Sequence, residues 1–249
     1  MKQRIPLPRE TYFTIGPYRL HARQIIELLT PFVTEARRKR IAHVVRHRTY
    51  TIAPVIEGLY DLGNVAAVMR TAEGLGYQAL HIIETSTRFK KANRVSTGAE
   101  KWLDVHRWKH TSEAIQYLKK RGYFILATHL DEKAHPIHTF DFTRPTALLF
   151  GNEHAGLSEE AIALSDATCM IPIYGFVQSF NISVAAAISL YHAQQDRIRR
   201  QGHHGDLTPE EQLVLMADFF LRSIRHPEQL IQELLSRHPL PSNETNTWE

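Results

Sequence analysis

Short apolar segments alternate with helix-like segments between residues 51 and 199, and this alternation limits the possible folds more than any other feature of the chain. Apolar, β-rich patterns predict strands at 51–59, 79–84, 123–128, 146–151 and 167–173. Helical patterns fall between them, at 64–75, 111–121, 158–165 and 182–199. Such an order is typical of an α/β fold, in which a mainly parallel sheet carries helices on both faces.

Segments with different patterns flank this centre. Residues 1–18 contain Pro and aromatic side chains without periodicity and are expected to form an extended arm. Thr30 and Pro31 place an N-cap residue before a Pro, which predicts a helix from there to about Arg48. A capping-box pattern at residues 208–211 predicts one or two further helices, followed by a polar tail that we expect to be disordered. The predicted division is an N-terminal extension at 1–50, a central domain at 51–200 and a C-terminal appendage at 201–249.

Basic residues are concentrated in two parts of the chain. The formal net charge of +4 only tilts the protein towards anionic partners. The density of positive charge in the N-terminal helix favours a phosphate-binding face over the ordinary alternative, a solvated helix face. A second basic stretch, between residues 88 and 109, has a loop-like pattern and is interleaved with Trp102 and Trp108, which could equally pack in the core. The candidate RNA-binding residues are Arg37, Arg38, Lys39, Arg40, Arg46, Arg48, Arg88, Lys90 and Lys91.

Several classes of protein do not fit this sequence. Cys169 is the single cysteine, so an internal disulfide is impossible, and a cytoplasmic setting is expected. No apolar run is long enough to span a bilayer, and the first residues lack the apolar stretch of a secretory signal. The 15 His are scattered without metal-ligand spacing, and Gly74-Leu75-Gly76 follows a helix instead of opening one. Ser179 lacks the context of a hydrolase nucleophile. No metal is therefore expected.

A polar cluster lies where the last predicted strand passes into the last predicted helix, within residues 171–187. Gln178, Ser179, Asn181 and Ser183 stand there in close succession. A helix N-terminus exposes unpaired backbone N–H groups, and one Ser or Asn suffices to cap it. Because four polar side chains exceed the needs of capping, the cluster indicates a binding or catalytic site.

Two earlier segments, 61–76 and 146–157, also stand at strand–helix junctions and contain Asn64 with Arg70, and Gly151 with Glu153. In this order, with 171–187 last, the segments resemble the three motifs of the SPOUT RNA ribose 2′-O-methyltransferases. The resemblance covers roughly residues 25 to 200, and it is strongest to the members that methylate guanosine 18 of tRNA. Each motif alone is weak, whereas all three in this order are specific.

The resemblance implies roles for particular residues. The implied catalytic residues are Asn64, Arg70, Glu153, Ser179 and Asn181. Arg70 carries the family's essential arginine, which could hold a phosphate and stabilise the developing alkoxide, although a guanidinium is a poor base by itself. A surface Arg on an amphipathic helix is the common structural alternative for this residue.

The resemblance also implies a cofactor and partners. S-adenosylmethionine is expected in a deep trefoil knot formed by residues 123 to 198, held by backbone groups around Thr128, Gly151, Ile171 and Phe180. The chain is expected to be a homodimer that methylates tRNA, without any contact with a membrane. Three alternatives remain open: methylation of ribosomal RNA, methylation of another tRNA position, and a non-catalytic RNA-binding protein of the same fold.

Overall fold

The computed structural model describes residues 3–58, 61–84, 98–152 and 155–237. The contacts divide the described chain into two compact units. The larger unit comprises the described residues of Met1–Pro6 and His47–Asp206, and the smaller comprises those of Leu7–Arg46 and Leu207–Glu249. The smaller unit therefore joins two segments that the sequence treated as separate extensions, while the functional division at 50/51 and 200/201 stays a prediction.

The elements follow one another in the order expected for an α/β chain with helical ends. The described strands are β1 (Tyr12–Ile15), β2 (Tyr18–His21), β3 (Ile52–Glu57), β4 (Ala79–Ile83), β5 (Asp104–Trp108), β6 (Phe124–Thr128), β7 (His135–Pro136), β8 (Thr146–Phe150) and β9 (Ala167–Met170). The described α-helices are α1 (Ala22–Leu29), α2 (Glu35–Arg46), α3 (Leu62–Leu75), α4 (Thr111–Lys120), α5 (Glu159–Leu164), α6 (Ile182–Gln201), α7 (Pro209–Ser223) and α8 (Pro227–Arg237).

The larger unit is built on a sheet whose described strands run in the order β5-β4-β3-β8-β6-β9-β7. Every neighbouring pair is parallel. Helices α3 and α6 pack together and share an apolar core with the sheet, whereas α4 packs against α5, β4, β5 and β6. The predicted α/β class with helices on both faces is confirmed. Since the strands are parallel, their carboxyl ends lie at one edge, where such folds place their ligands.

Local signals explain where the helices beside this edge begin and end. Asp61 caps α3, because its carboxylate accepts a hydrogen bond from the N–H of Gly63 at 2.8 Å. Gly76 ends the same helix in the left-handed conformation, with φ of 90°, which a glycine adopts without strain. Helix α3 is the next helix along the chain after β3, and Asn64 lies in its first turn.

The structure differs from the sequence-based expectation in the basic stretch before residue 109. Residues 104–108 form the edge strand β5 instead of a loop. Val105 packs against the core, and the Trp108 indole N–H donates to Nδ1 of His81 at 3.0 Å. The basic and aromatic composition concealed the alternation of this strand. Residues 85–97 lie outside the described part of the chain.

The smaller unit contains an antiparallel hairpin, β1 and β2, and four helices among its described residues. Helix α7 packs against α1 and α2, and α8 packs against α1, α7 and β1. The predicted capping box is present: Thr208 accepts from the N–H of Glu211, and the Glu211 carboxylate accepts from the N–H of Thr208. The prediction of an extended arm over residues 1–18 was wrong, because β1 lies within that range and pairs with β2 in the hairpin.

The predicted start of the basic helix was also wrong. Thr30 does not cap α2, because its hydroxyl donates to the carbonyl oxygen of Ile26 at 2.7 Å and so closes α1. Pro31 belongs to a single 3₁₀ turn, Thr30–Phe32, and α2 begins only at Glu35. Thr34 supplies the cap, with its hydroxyl accepting from the N–H of Arg37 at 3.3 Å.

Across the described ranges, no helix combines the length and apolar character needed to cross a bilayer. The strand order does not by itself trace how the chain is threaded, so the deep knot stays a prediction. The tail from residue 238 lies outside the described residues.

Candidate functional site

A cleft lies at the carboxyl edge of the sheet, and all four predicted cofactor-binding positions line it. Thr128 is the last residue of β6, Gly151 follows β8 and Ile171 follows β9, while Phe180 closes the segment that leads to α6. The cleft has a volume of about 860 Å³, including the part open to solvent. The structure therefore brings together backbone from three adjacent strand ends, as the motif order predicted.

The wall that leads from β9 to α6 offers backbone polar groups to a ligand. Within the described residues, no backbone–backbone hydrogen bond involves residues 173–180. Ile171 and Ile173 give this wall apolar surface, and Gln178 and Ser179 add exposed polar side chains. Apolar walls with a few convergent polar groups suit the adenine ring and the ribose of S-adenosylmethionine. The residues present therefore fit the predicted cofactor.

The opposite wall is formed by the described residues that follow β8, 151–152 and 155–158, which we call the β8–α5 loop, and Asn152 and Gly156 pair through their backbones. The N–H of Asn152 donates to the carbonyl oxygen of Gly156 at 2.8 Å. The N–H of Gly156 donates in turn to the carbonyl oxygen of Asn152, also at 2.8 Å. A Cβ atom on Gly151 would lie 2.2 Å from the backbone of Gly156 and Leu157. Only glycine fits at this position, because the two parts of the loop touch through their backbones.

Ser179 and Asn181 lie at the cleft end of α6, but only Ser179 lines the cleft. Asn181 caps the helix, since its side-chain oxygen accepts from the N–H of Ser183 at 2.9 Å and from its hydroxyl at 2.6 Å. Ser179 is exposed and makes no hydrogen bond in the described structure. Of these two predicted catalytic residues, Asn181 thus acts as a helix cap, whereas Ser179 can form hydrogen bonds with a ligand.

Asn64 and Arg70 lie on α3, which packs along α6. The Asn64 amide donates to the Asp61 carboxylate at 3.0 Å, within the first turn of the helix. Arg70 is about 9 Å further along the helix axis. Its side chain is exposed and makes no hydrogen bond or ion pair with the described residues. A guanidinium in this state can take an anionic ligand, such as a phosphate, without breaking an existing bond. Glu153, the remaining predicted catalytic residue, lies outside the described residues.

The predicted RNA-binding side chains of α2 are mostly at the surface. Arg37, Arg40 and Arg46 are exposed and Arg38 is half-buried, whereas Lys39 pairs with Glu35 at 2.7 Å. Such an exposed pair on one helix is weak, so the lysine remains available to a phosphate. Arg88, Lys90 and Lys91 lie outside the described residues.

Arg48 requires a correction, because the structure buries it completely. Its guanidinium donates to the carbonyl oxygens of Glu73 and Tyr77 at 3.0 and 3.2 Å, and it pairs with the Glu73 carboxylate at 2.6 Å. Burial is the largest influence on its pKa and lowers it from the ordinary arginine value. A side chain with these internal partners cannot contact a phosphate, so we remove Arg48 from the candidate RNA-binding residues.

Sequence reasoning missed three residues at or beside the cleft. Cys169 lines it, and burial raises the pKa of its thiol to about 12, which makes a thiolate nucleophile there unfavourable. Asn152 also lines it, and its amide donates to the carbonyl oxygen of Gly58 at 2.7 Å. Glu57, a buried acid at the end of β3, binds the end of the same loop. An acid that ends an apolar strand was the available signal for Glu57.

The parallel sheet and the cleft at its carboxyl edge define a ligand-binding α/β domain, and a comparison with known families gives its class. Residues 52–191 match the model of the SpoU rRNA Methylase family. The chain therefore belongs to this family, and the resemblance noted from the three motifs is confirmed.

Individual proteins and solved structures are also similar to this chain. A tRNA (guanosine(18)-2'-O)-methyltransferase of Thermus thermophilus is 40% identical over 166 residues, which cover 67% of this chain and 86% of the relative. The TrmH/SpoU tRNA-modifying enzyme of A. aeolicus superposes with a TM-score of 0.70 at 29% identity, covering 77% of this chain and 98% of that one. The SpoU methyltransferase AviRb of Streptomyces viridochromogenes, solved with AdoMet, gives a TM-score of 0.53 at 32% identity, with 59% and 60% covered.

Proposed function

We propose that this protein transfers a methyl group from S-adenosylmethionine to the ribose 2′-OH of guanosine 18 in tRNA. The observation that carries the proposal is the convergence of Thr128, Gly151, Ile171 and Phe180 on one cleft. The 40% identity to a relative named for this reaction supports the choice of substrate.

The cofactor supplies an electrophilic methyl group. The residues of the chain bind the cofactor and the RNA, orient them and stabilise the charge that develops during the transfer. The backbone of residues 173–180 binds the adenine and ribose, and Ser179 contacts the reacting nucleotide. Arg70 binds the phosphate beside the target ribose and stabilises the charge that develops on its 2′ oxygen. Asn64 and Asn181 hold the starts of α3 and α6 in place through their hydrogen bonds to Asp61 and Ser183.

The variant Arg70→Ala tests these roles. It should lose nearly all turnover and still bind S-adenosylmethionine with unchanged affinity in calorimetry, because the proposed partner of the guanidinium is the RNA. Arg40→Ala is the matched control, since this exposed arginine of α2 should affect RNA affinity but not turnover at saturating RNA. Substantial turnover by Arg70→Ala would remove Arg70 from the mechanism.

The choice of nucleotide needs its own experiment. Unmodified tRNA that carries guanosine 18 is incubated with labelled cofactor beside a transcript in which that base is changed, and beside ribosomal RNA. Label should enter only the first RNA, and nucleoside mapping should place it on the ribose of guanosine 18. Equal labelling of both tRNAs would support another tRNA position, whereas labelling of ribosomal RNA alone would support the family's other substrate class. No labelling of any RNA would favour a binding protein.

We further propose that the protein is a homodimer that works in the cytoplasm. Val184, Ile188, Tyr191 and Ile198 expose large apolar side chains at helical spacing, on one face of α6. Tyr174 and Phe176, on the segment before α6, are also fully exposed. A second copy covering this apolar surface would remove it from water. Sedimentation should give a dimer, and Tyr191→Glu should shift it towards the monomer; a monomeric unmodified protein would contradict the proposal.

A further inference from the structure

Glu57 is a buried acid that the proposed reaction does not use. It is the last residue of β3 and only 2% exposed. In the described part of the chain, no Lys, Arg or His forms an ion pair with it. Carboxylates are rarely buried to this extent without a cation. General apolar packing therefore does not explain why an acid stands at position 57.

Among the described residues, the partners of the Glu57 carboxylate are the hydrogen-bond donors of Thr111 and Ser158. One oxygen accepts from the hydroxyls of Thr111 and Ser158 at 2.5 and 2.8 Å, and the other accepts from the N–H of Ser158 at 2.8 Å. Thr111 is the first residue of α4, and Ser158 caps α5. An ionised carboxylate can accept all three bonds, whereas a glutamine amide would direct donor hydrogens at one of these donors.

Ser158 also ends the loop that forms one wall of the cleft. At the start of that loop, the Asn152 amide donates to the carbonyl oxygen of Gly58, the residue after Glu57. Both ends of the loop are therefore bound to two consecutive residues at the end of β3. Between these attachments, Asn152 and Gly156 line the cleft. Glu57 itself is not among the lining residues.

We propose that Glu57 is a positioning residue for methyl transfer, which holds Ser158, and through it the wall residue Gly156, at the distance from β3 that S-adenosylmethionine requires. The inference rests on the proposed function of the cleft. Glu57 acts through Ser158 and touches neither the cofactor nor the RNA. Loss of the carboxylate releases the end of the loop, so the wall must be ordered again each time the cofactor binds.

Calorimetry with S-adenosylmethionine alone tests the proposal without RNA, so its result does not depend on which nucleotide is methylated. Glu57→Gln should raise the Kd for the cofactor by about 10- to 100-fold, the equivalent of one hydrogen bond to a charged group. Glu57→Asp keeps the charge and should recover part of the affinity. In Glu57→Gln, kcat at saturating S-adenosylmethionine should fall less than the kcat/KM measured for S-adenosylmethionine.

Thr111→Val is the matched control, because it removes a donor to the same carboxylate from α4 and leaves both bonds to the loop intact. It should lower the melting temperature as Glu57→Gln does, but leave the Kd unchanged. If Thr111→Val weakens cofactor binding as much as Glu57→Gln, or if neither does, the positioning role is overturned. Should Glu57→Gln fail to fold, Ser158→Ala decides: a raised Kd beside an unaffected Thr111→Val supports the proposal, and an unchanged Kd overturns it.

Discussion

Replacement of Arg48 by Met separates the structural role of this residue from the RNA-binding role that its sequence context indicates. Met preserves the aliphatic packing of the buried side chain but supplies no hydrogen-bond donors. The carbonyl oxygen of Tyr77 then loses the Arg48 donor, that of Glu73 keeps only the N–H of Gly76, and the Glu73 carboxylate loses its ion pair. We therefore expect a large loss of stability without an effect on phosphate binding.

The magnitude follows from the burial of the two partners. Removal of one member of a buried ion pair costs about 3–5 kcal/mol. Since the Glu73 side chain is 29% exposed, water can replace part of its lost interaction. The free energy of unfolding should fall by about 3 kcal/mol, near the lower limit of that range. For a protein of this size, such a loss lowers the melting temperature by roughly 6–12 °C.

The assay combines denaturant unfolding with RNA binding at several salt concentrations, and Arg46→Gln serves as the exposed control two residues away. Arg46→Gln should change stability by less than about 0.5 kcal/mol. Because it removes one phosphate contact, it should reduce the slope of log K against log salt by about 0.7 to 0.9. Arg48→Met should leave that slope unchanged. A stable Arg48→Met protein with a reduced salt slope would refute the structural assignment.

Three further predictions concern the cleft and the core of the larger unit. Gly151→Ala should abolish cofactor binding in calorimetry, since its Cβ would overlap the backbone of Gly156, whereas Gly74→Ala on α3 has open space and should bind normally; equal affinities would contradict the geometry. Cys169, with its thiol pKa raised to about 12, should resist iodoacetamide at pH 8 until the protein unfolds, and rapid labelling of the native protein would argue against burial. Burial lowers the pKa of His204 to about 3, below the ordinary value near 6.5 of the unfolded chain, so only the unfolded state gains a proton as pH falls between these values. The free energy of unfolding should therefore drop by up to about 1.4 kcal/mol for each pH unit from 6.5 down to about 3. His204→Phe should make this pH dependence less steep, and equal slopes for His204→Phe and the unmodified protein would contradict the assignment to His204.

The sheet was predictable from the sequence where strands are buried on both faces. All residues of β3, β4 and β8 are buried, and such strands appear as mainly apolar runs, even though β3 ends in Glu57 and β4 contains His81. The edge strand β5 was missed because most of its side chains are only partly buried, so its sequence carries charges and aromatic rings. The hairpin of β1 and β2 was missed because part of its packing comes from far along the chain, where α8 contacts β1.

For the site as well, residues recognisable from nearby sequence could be predicted, whereas residues that depend on contacts far apart in the chain could not. Gly151, Ile171, Phe180 and Arg70 belong to the three motifs, and Thr128 ends a predicted strand, so a resemblance could assign them from sequence. The burial of Arg48 depends on Glu73, which lies 25 residues away. The role of Glu57 depends on Ser158, 101 residues away. Contacts of this separation leave no periodic pattern, and only the folded chain reveals them.

The smaller unit has a consequence for synthesis, because its two parts stand at opposite ends of the polypeptide. Helix α7, against which α1 and α2 pack, leaves the ribosome about 160 residues after them, or roughly 8–30 s later at 5–20 residues per second. During that interval, α1 and α2 carry apolar faces without their partner, while the sheet of the larger unit can already form. A nascent chain that stops near residue 206 should therefore contain a folded sheet beside an exposed and protease-sensitive basic helix. The positive charge of α2 would help to keep such an intermediate soluble until the last helices arrive.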